Sequence, residues 1–222
     1  MIGLSERWKL EEPRAKVGML WLENVRNEPS HPALSEACQD LEKELRDRYG
    51  ELDRKRLREL PVFSAYDSFY RSFRKTYHVQ LQLESVVFQG KSISSPSVLV
   101  GCMFMAELKT GLLTAGHDFA HLVLPLLADV AIGGESYQRL DGNTQQLKSG
   151  DLYIKDQQGI ISSVLYGPDR RTRIQGDTTQ VVFTTYGPPG IFEDQIREQL
   201  ILLEEYVGLS SPDAITNQLI VI

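Results

Sequence analysis

Apolar positions along this chain change rhythm several times, and the changes mark out its elements. Residues 15–25, AKVGMLWLENV, form a near-continuous apolar run with Gly18 inside it, short enough for a buried strand. The turn Arg26-Asn27-Glu28-Pro29 closes it, and Ser30 is then placed to cap a helix with Pro32 in its first turn. Leu34, Ala37, Cys38, Leu41 and Leu45 continue at helical spacing until Gly50. A basic connector, 51–60, leads to Pro61. A helix over about 62–74 gathers Phe63, Tyr66, Phe69, Tyr70 and Phe73 on one face, a pattern that predicts packing on a sheet in preference to a base-stacking platform.

A third helix is expected over about 79–89, although its first residues alternate like a strand, and a Ser-rich loop runs from Gly90 to Ser97. The segment 97–109, SVLVGCMFMAELK, is apolar on nearly every side and reads as a buried central helix ended by Gly111. Leu112 to Asp118 lead into a turn. Pro125 makes 122–132 an edge strand or a broken segment. From Gly133 to Tyr186, short Val, Ile, Leu, Phe and Tyr runs alternate with Gly, Asn and Asp turns, which predicts a compact antiparallel β unit. Arg170, Arg171, Thr172 and Arg173 fall on the loop before its last strand. Gly187-Pro188-Pro189-Gly190 breaks the chain, an amphipathic helix follows over about 193–207, and the tail SSPDAITNQLIVI is loosely attached or a short extra strand. The fold class is α+β, a mixed or antiparallel β core with helices packed around it.

Composition narrows the setting. At 222 residues, 41% hydrophobic and 24% charged, the sequence fits one large domain or two small packed ones. No apolar run approaches the roughly 20 residues of a membrane span, and MIGLSERWKLEEPR lacks the apolar centre of a signal peptide. Cys38 and Cys102 read as buried free thiols, so a cytoplasmic location is expected. A net charge of −6 argues against nonspecific coating of nucleic acid. Three basic clusters nevertheless stand out: Arg54 to Arg58; Arg71, Arg74 and Lys75; and Arg170, Arg171 and Arg173. Each alone fits a solvated face, and together they allow a local RNA-facing surface.

Standard catalytic signatures are absent: no phosphate loop, no nucleophile elbow, and no helix after Gly133-Gly134 to hold a dinucleotide. His117 and His121 have the spacing of two metal ligands on a helix face, but no third ligand accompanies them, so no metal and no cofactor are expected. Asp118 reads either as a turn or helix cap or as a substrate contact, and Asp177-Thr178-Thr179 has the same two readings. Thr184 and Thr185 interrupt an apolar strand, so at least one hydroxyl must find a partner inside, from backbone or ligand.

Three segments in order, SPSVLVGCMFMAELKTGLLTAGHD, GGESYQRLDGNTQQLKSGDLYIKD and DTTQVVFTTYGPPG, resemble the B3/B4 domain of the bacterial phenylalanyl-tRNA synthetase beta subunit, and most of all the freestanding proteins built on that domain. The resemblance implies one domain over 1–222: an N-terminal strand and helix in 1–60, the body in 61–190, and a helix and tail in 191–222. It implies a tRNA or aminoacyl-tRNA partner, with no DNA or membrane, and leaves oligomeric state open. In the synthetase this domain hydrolyses mischarged tRNA without a protein nucleophile, since an ordered water suffices where donors hold the oxyanion.

By that resemblance the pocket is walled by an Ala115–Asp118 turn, the Gly167–Arg170 loop and the Thr184–Gly187 strand end. Asp118, His117 and Asp169 are the candidate catalytic residues. Ala115, Gly116, Gly167, Arg170, Thr184, Thr185 and Tyr186 form the candidate substrate pocket, and Arg71, Arg74, Lys75, Arg171 and Arg173 the candidate RNA contacts. Departures from the family pattern are concrete. The turn histidine is shifted by two residues, Gly167-Pro168-Asp169-Arg170 stands where the synthetase has Gly-Gly-Glu, and Tyr77-His78-Val79 replaces the Tyr-Arg-Ser of freestanding relatives. Tyr186 replaces a small residue and is expected to shrink or close the pocket. Two functions therefore stand side by side: a trans-acting aminoacyl-tRNA deacylase, unable to charge tRNA itself, and a noncatalytic RNA- or small-ligand-binding module.

Overall fold

A computed structural model describes all 222 residues. Strand β1 (Ile2–Leu4) and helix α1 (Glu6–Glu11) open the chain, followed by β2 (Lys16–Glu23). Five helices come next: α2 (Pro32–Tyr49), α3 (Arg54–Glu59), α4 (Pro61–Ser72), α5 (His78–Gln89) and α6 (Val98–Thr110). Strand β3 (Leu113–Asp118) runs into a 3-10 turn at Phe119–His121, then β4 (Leu126–Val130), β5 (Ser136–Gln138), β6 (Thr144–Gln146), β7 (Leu152–Lys155), β8 (Ile160–Ser163), β9 (Gly167–Pro168) and β10 (Gln180–Gly187). Helix α7 (Glu193–Ser210) and β11 (Ile215–Val221) complete it. The fold is α+β.

Strands form a four-stranded sheet in the order β11-β2-β10-β3, a five-stranded sheet β1-β4-β7-β8-β9 and a small β5-β6 hairpin. All pairings are antiparallel except β1 with β4. Side chains of β10 alternate between two environments. Tyr186 points toward the five-stranded sheet, where its hydroxyl lies 2.5 Å from Ser162 Oγ. Thr185 points the other way and meets Thr114 Oγ1 at 3.1 Å, which in turn accepts Gln199 Nε2–H of α7 at 2.9 Å. The four-stranded sheet is thus sandwiched between α6 and α7 on one side and the second sheet on the other. Gly18 permits the close approach of α7, because a Cβ there would stand 2.3 Å from Ile196 Cγ2.

Several expectations are corrected. The residues 133–186 do not form one β unit: β7 to β9 belong to one sheet, β10 to the other, and β5-β6 stands apart. The expected turn at Ala115–Asp118 is a strand, since six residues of β3 pair with β10 from Leu113↔Tyr186 to Asp118↔Val181. That pairing overrides the weak strand preference of Gly116. Of the two expectations for 122–132 the broken segment holds and the edge strand does not: β4 begins after Pro125 and lies between β1 and β7, with Leu126 N–H donating to Met1 O. The 51–60 connector contains α3, which Asp53 caps by accepting Arg56 N–H at 2.8 Å and which buries Leu57. His31 and not Ser30 is the residue before α2, and it makes no side-chain cap bond. Of the two expectations for the tail the extra strand holds, as β11 paired along β2, and β1 with α1 was not anticipated. Of the two free cysteines, Cys102 is buried and Cys38 only partly so. No helix is long and apolar enough to cross a membrane.

Candidate functional site

Alternation along β3 sends the candidate residues His117 and Asp118 to opposite faces. His117 is fully buried, with Nδ1 2.8 Å from Thr172 Oγ1. The Thr172 hydroxyl is also hydrogen-bonded to Asp169 Oδ1, and Asp169 accepts the amides of Thr172 at 3.1 Å and Arg171 at 3.2 Å. A hydroxyl has one hydrogen; given to the carboxylate, it leaves oxygen lone pairs to accept His117 Nδ1–H. His117 is therefore the Nδ1–H tautomer, and its Nε2 has no partner. Burial, and next the Arg171 charge, lower its pKa to about 3.

Asp118 is equally occupied. Oδ1 accepts Ala120 N–H at 3.0 Å and Oδ2 accepts the Thr178 hydroxyl at 2.7 Å, so it joins the 3-10 turn to the loop before β10. His121 sits on that turn, far from the geometry of a shared helix face, with Nε2 3.1 Å from Gln175 Nε2. Arg171 grips buried Asp156 through two bonds of 3.0 and 2.8 Å and donates to His121 O. Arg71 pairs with Asp67 at 2.9 Å. Ala115, Thr184 and Tyr186 face the second sheet, and Thr184 Oγ1 reaches only Ala115 O at 3.5 Å. The Tyr186 ring is 1% exposed and fills the space between the sheets.

The open space lies elsewhere, on the helix-facing side of β3. A cavity of about 480 Å³ is bounded by α5 and α6, by Leu113, Thr114 and Gly116 of β3, by Leu140 at the β5-β6 tip, and by Gly167, Pro168, Arg173 and Ile174. Gly116 and Gly167 are the two candidate pocket residues that reach it, with Arg173 from the candidate RNA set. Its walls are mainly apolar: Val100, Met103 and Phe104 of α6 with Leu113, Leu140 and Ile174. His78 and Gln82 of α5 stand exposed at its opening.

One lining residue was missed by the sequence reading. Glu107, 2% exposed, belongs to the last turn of α6. Its Oε1 accepts Thr114 N–H at 2.8 Å, while no protein donor or cation bonds the other oxygen. Burial raises its pKa to about 8 against the lowering effect of that amide. The signal was present as a lone carboxylate in the apolar run VLVGCMFMAELK. Other recesses lack this feature. One of about 580 Å³ between α2, α4 and α7 holds no buried carboxylate. In another of about 330 Å³, buried Glu42 is paired with Arg46 at 3.0 Å.

Cations collect beside the cavity mouth. Arg139 precedes Leu140 and bridges in β register to Asp169; exposed Arg170 donates its backbone N–H to Gln138 O at 2.9 Å. Burial, and next the charges of Lys148 and Arg139, lower the pKa of Lys75 against the opposing charge of Asp151, and its ammonium lies 4.3 Å from the Tyr166 ring centroid. Nearby acidic compensation comes from Asp141, 4.0 Å from Arg139.

No protein-family model and no curated protein matches this chain. Among solved structures it is similar to an N-terminal fragment of the phenylalanyl-tRNA synthetase beta-subunit from Pyrococcus horikoshii, at 12% identity and a TM-score of 0.49. The match covers 98% of this chain and 54% of that fragment, so the chain spans about half the fragment's length.

Proposed function

We propose that this chain is a tRNA-linked binding module that takes the aminoacyl end of the RNA into the cavity over Glu107. One observation carries the reading: a mainly apolar cavity with a single buried carboxylate opens beside a rim bearing Arg139, Arg170 and Arg173. Walls of this kind suit an amino-acid side chain, and the rim suits phosphates of the attached polynucleotide. The three resemblance segments support the same reading, and the two free cysteines support a cytoplasmic setting. Asp118, His117 and Asp169 serve the fold in it, because each is tied into buried hydrogen bonds outside the cavity lining.

Hydrolysis of the ester is a second reading, favoured by one feature. A carboxyl raised to about 8 is a strong base in the fraction that is ionised, a fraction that grows as pH approaches 8. Glu107 would then accept a proton from the attacking water and return it to the ribose oxygen as the ester bond breaks. A panel of aminoacyl-tRNAs incubated with native chain, Glu107→Gln and Asp118→Ala separates the readings. Retained esters with salt-sensitive tRNA binding support the binding module; hydrolysis lost in Glu107→Gln supports the deacylase. Absence of tRNA binding at low salt overturns both.

A further inference from the structure

The deciding feature is the missing counter-ion of Glu107. Groups facing it come from every surrounding element: Tyr66 and Tyr70 of α4, Tyr77 and His78 at the start of α5, and Arg173 across the cavity. The three tyrosines are pushed up by burial and remain neutral, with hydroxyls donated to the carbonyls of Tyr186, Val164 and Gly111. Arg173 commits its guanidinium to Arg170 O at 2.8 Å and Gln175 Oε1 at 3.3 Å. No ion pair reaches Glu107 from anywhere in the chain. Its place in the last turn of α6 also favours a positive neighbour, because the helix dipole is negative there.

We propose that the cavity selects ligands carrying a primary ammonium on an apolar body, with the ammonium seated on Glu107 and the body against Met103 and Phe104. This inference rests on the cavity being the ligand site, and it names the chemistry that the site recognises. The apolar walls contribute affinity without discriminating charge, and a desolvated carboxylate with one vacant oxygen discriminates strongly. In the free protein at neutral pH the carboxyl is largely protonated. Seating an ammonium ionises it, and the proton passes to the buffer.

The test compares 2-phenylethylamine with 2-phenylethanol, near-isosteric probes that differ in charge, by isothermal titration calorimetry in two buffers of different ionisation enthalpy. The amine is expected to bind at least tenfold more tightly than the alcohol at pH 7, releasing about one proton, with affinity rising as pH approaches 8. Glu107→Gln keeps an acceptor for Thr114 N–H; it is expected to bring the two affinities together and abolish proton release. Met103→Ala is expected to weaken both probes alike and leave their ratio unchanged, which separates wall packing from charge recognition. Equal affinity for both probes in the native chain, or an amine preference that survives Glu107→Gln, overturns the inference. Because no RNA enters the assay, an amine preference in a chain that fails to bind tRNA would sink the RNA reading alone. Intact tRNA binding without amine preference would sink only this inference.

Discussion

Thr172 Oγ1 stands 2.8 Å from His117 Nδ1 and joins that ring to Asp169, so two residues that sequence reasoning put forward for chemistry are linked through a third that it passed over. The link is fully enclosed, with Thr172 and His117 both at 0% exposure. A hydrogen-bonded group without access to solvent or cavity contributes to a unique packing first. Thr172→Val leaves buried His117 Nδ1 without a partner and takes the hydroxyl from Asp169, which keeps the amides of Thr172 and Arg171. Chemical denaturation is expected to show a loss of about 2 kcal/mol, with binding to the cavity unchanged below the transition.

Acid sensitivity follows from the same histidine. Its folded pKa of about 3 lies below its ordinary 6.5. A lowered pKa means the unfolded chain takes up the proton first, so this contribution to stability is full above pH 6.5 and declines as pH falls toward 3. Urea melts at pH 6.5 and pH 4.5 are expected to show a smaller acid loss for His117→Leu than for the native chain. Equal losses would contradict a buried neutral His117.

Glu107 and Asp151 act with the opposite sign. Burial raises their folded pKa values to about 8 and about 7, from ordinary values of 4.5 and 3.8. The folded state holds these protons while the unfolded state has lost them, so stability falls with rising pH, from 4.5 to about 8 for Glu107 and from 3.8 to about 7 for Asp151. Each group contributes a slope of up to about 1.4 kcal/mol per pH unit. Replacement of Glu107 by Gln is expected to flatten the profile between pH 5 and 8, as read from denaturation midpoints.

Arg171→Ala separates an arginine that serves the fold from those proposed to meet RNA. The substitution strands Asp156, whose oxygens retain only the amides of Val123, Gln158 and Gly159. Removing one member of a buried pair costs about 3 kcal/mol, discounted here because Arg171 is 32% exposed. Differential scanning calorimetry is expected to show the loss. In contrast, Arg139→Glu with Arg170→Glu is expected to leave stability within about 0.5 kcal/mol. That pair should weaken tRNA binding and lower the salt slope by roughly 0.7–0.9 per lost phosphate contact.

The sequence was most legible where one element explains its own pattern. The aromatic stripe of α4, the apolar α6 and the amphipathic α7 are helices of nearly the expected extent. It was least legible where partners far along the chain decide. Leu113–Asp118 carries a glycine and three polar residues that mimic a turn, and only the β10 register makes it a strand. Glu107 disappeared into an apolar run because local pattern does not reveal that its side chain meets Thr114 N–H and a cavity. Likewise Lys75, Arg139, Lys148 and Arg170 are dispersed in sequence, and folding brings them around the β5-β6 hairpin.

The most direct test of the central claim is equilibrium binding of one tRNA, aminoacylated and deacylated, to the native chain and to Glu107→Gln at fixed low salt. The expected result is at least tenfold tighter binding of the aminoacylated form by the native chain, with the preference lost in Glu107→Gln and affinity for deacylated tRNA preserved. Equal affinity of the native chain for both forms, or a preference that survives the substitution, would contradict an aminoacyl group seated on Glu107.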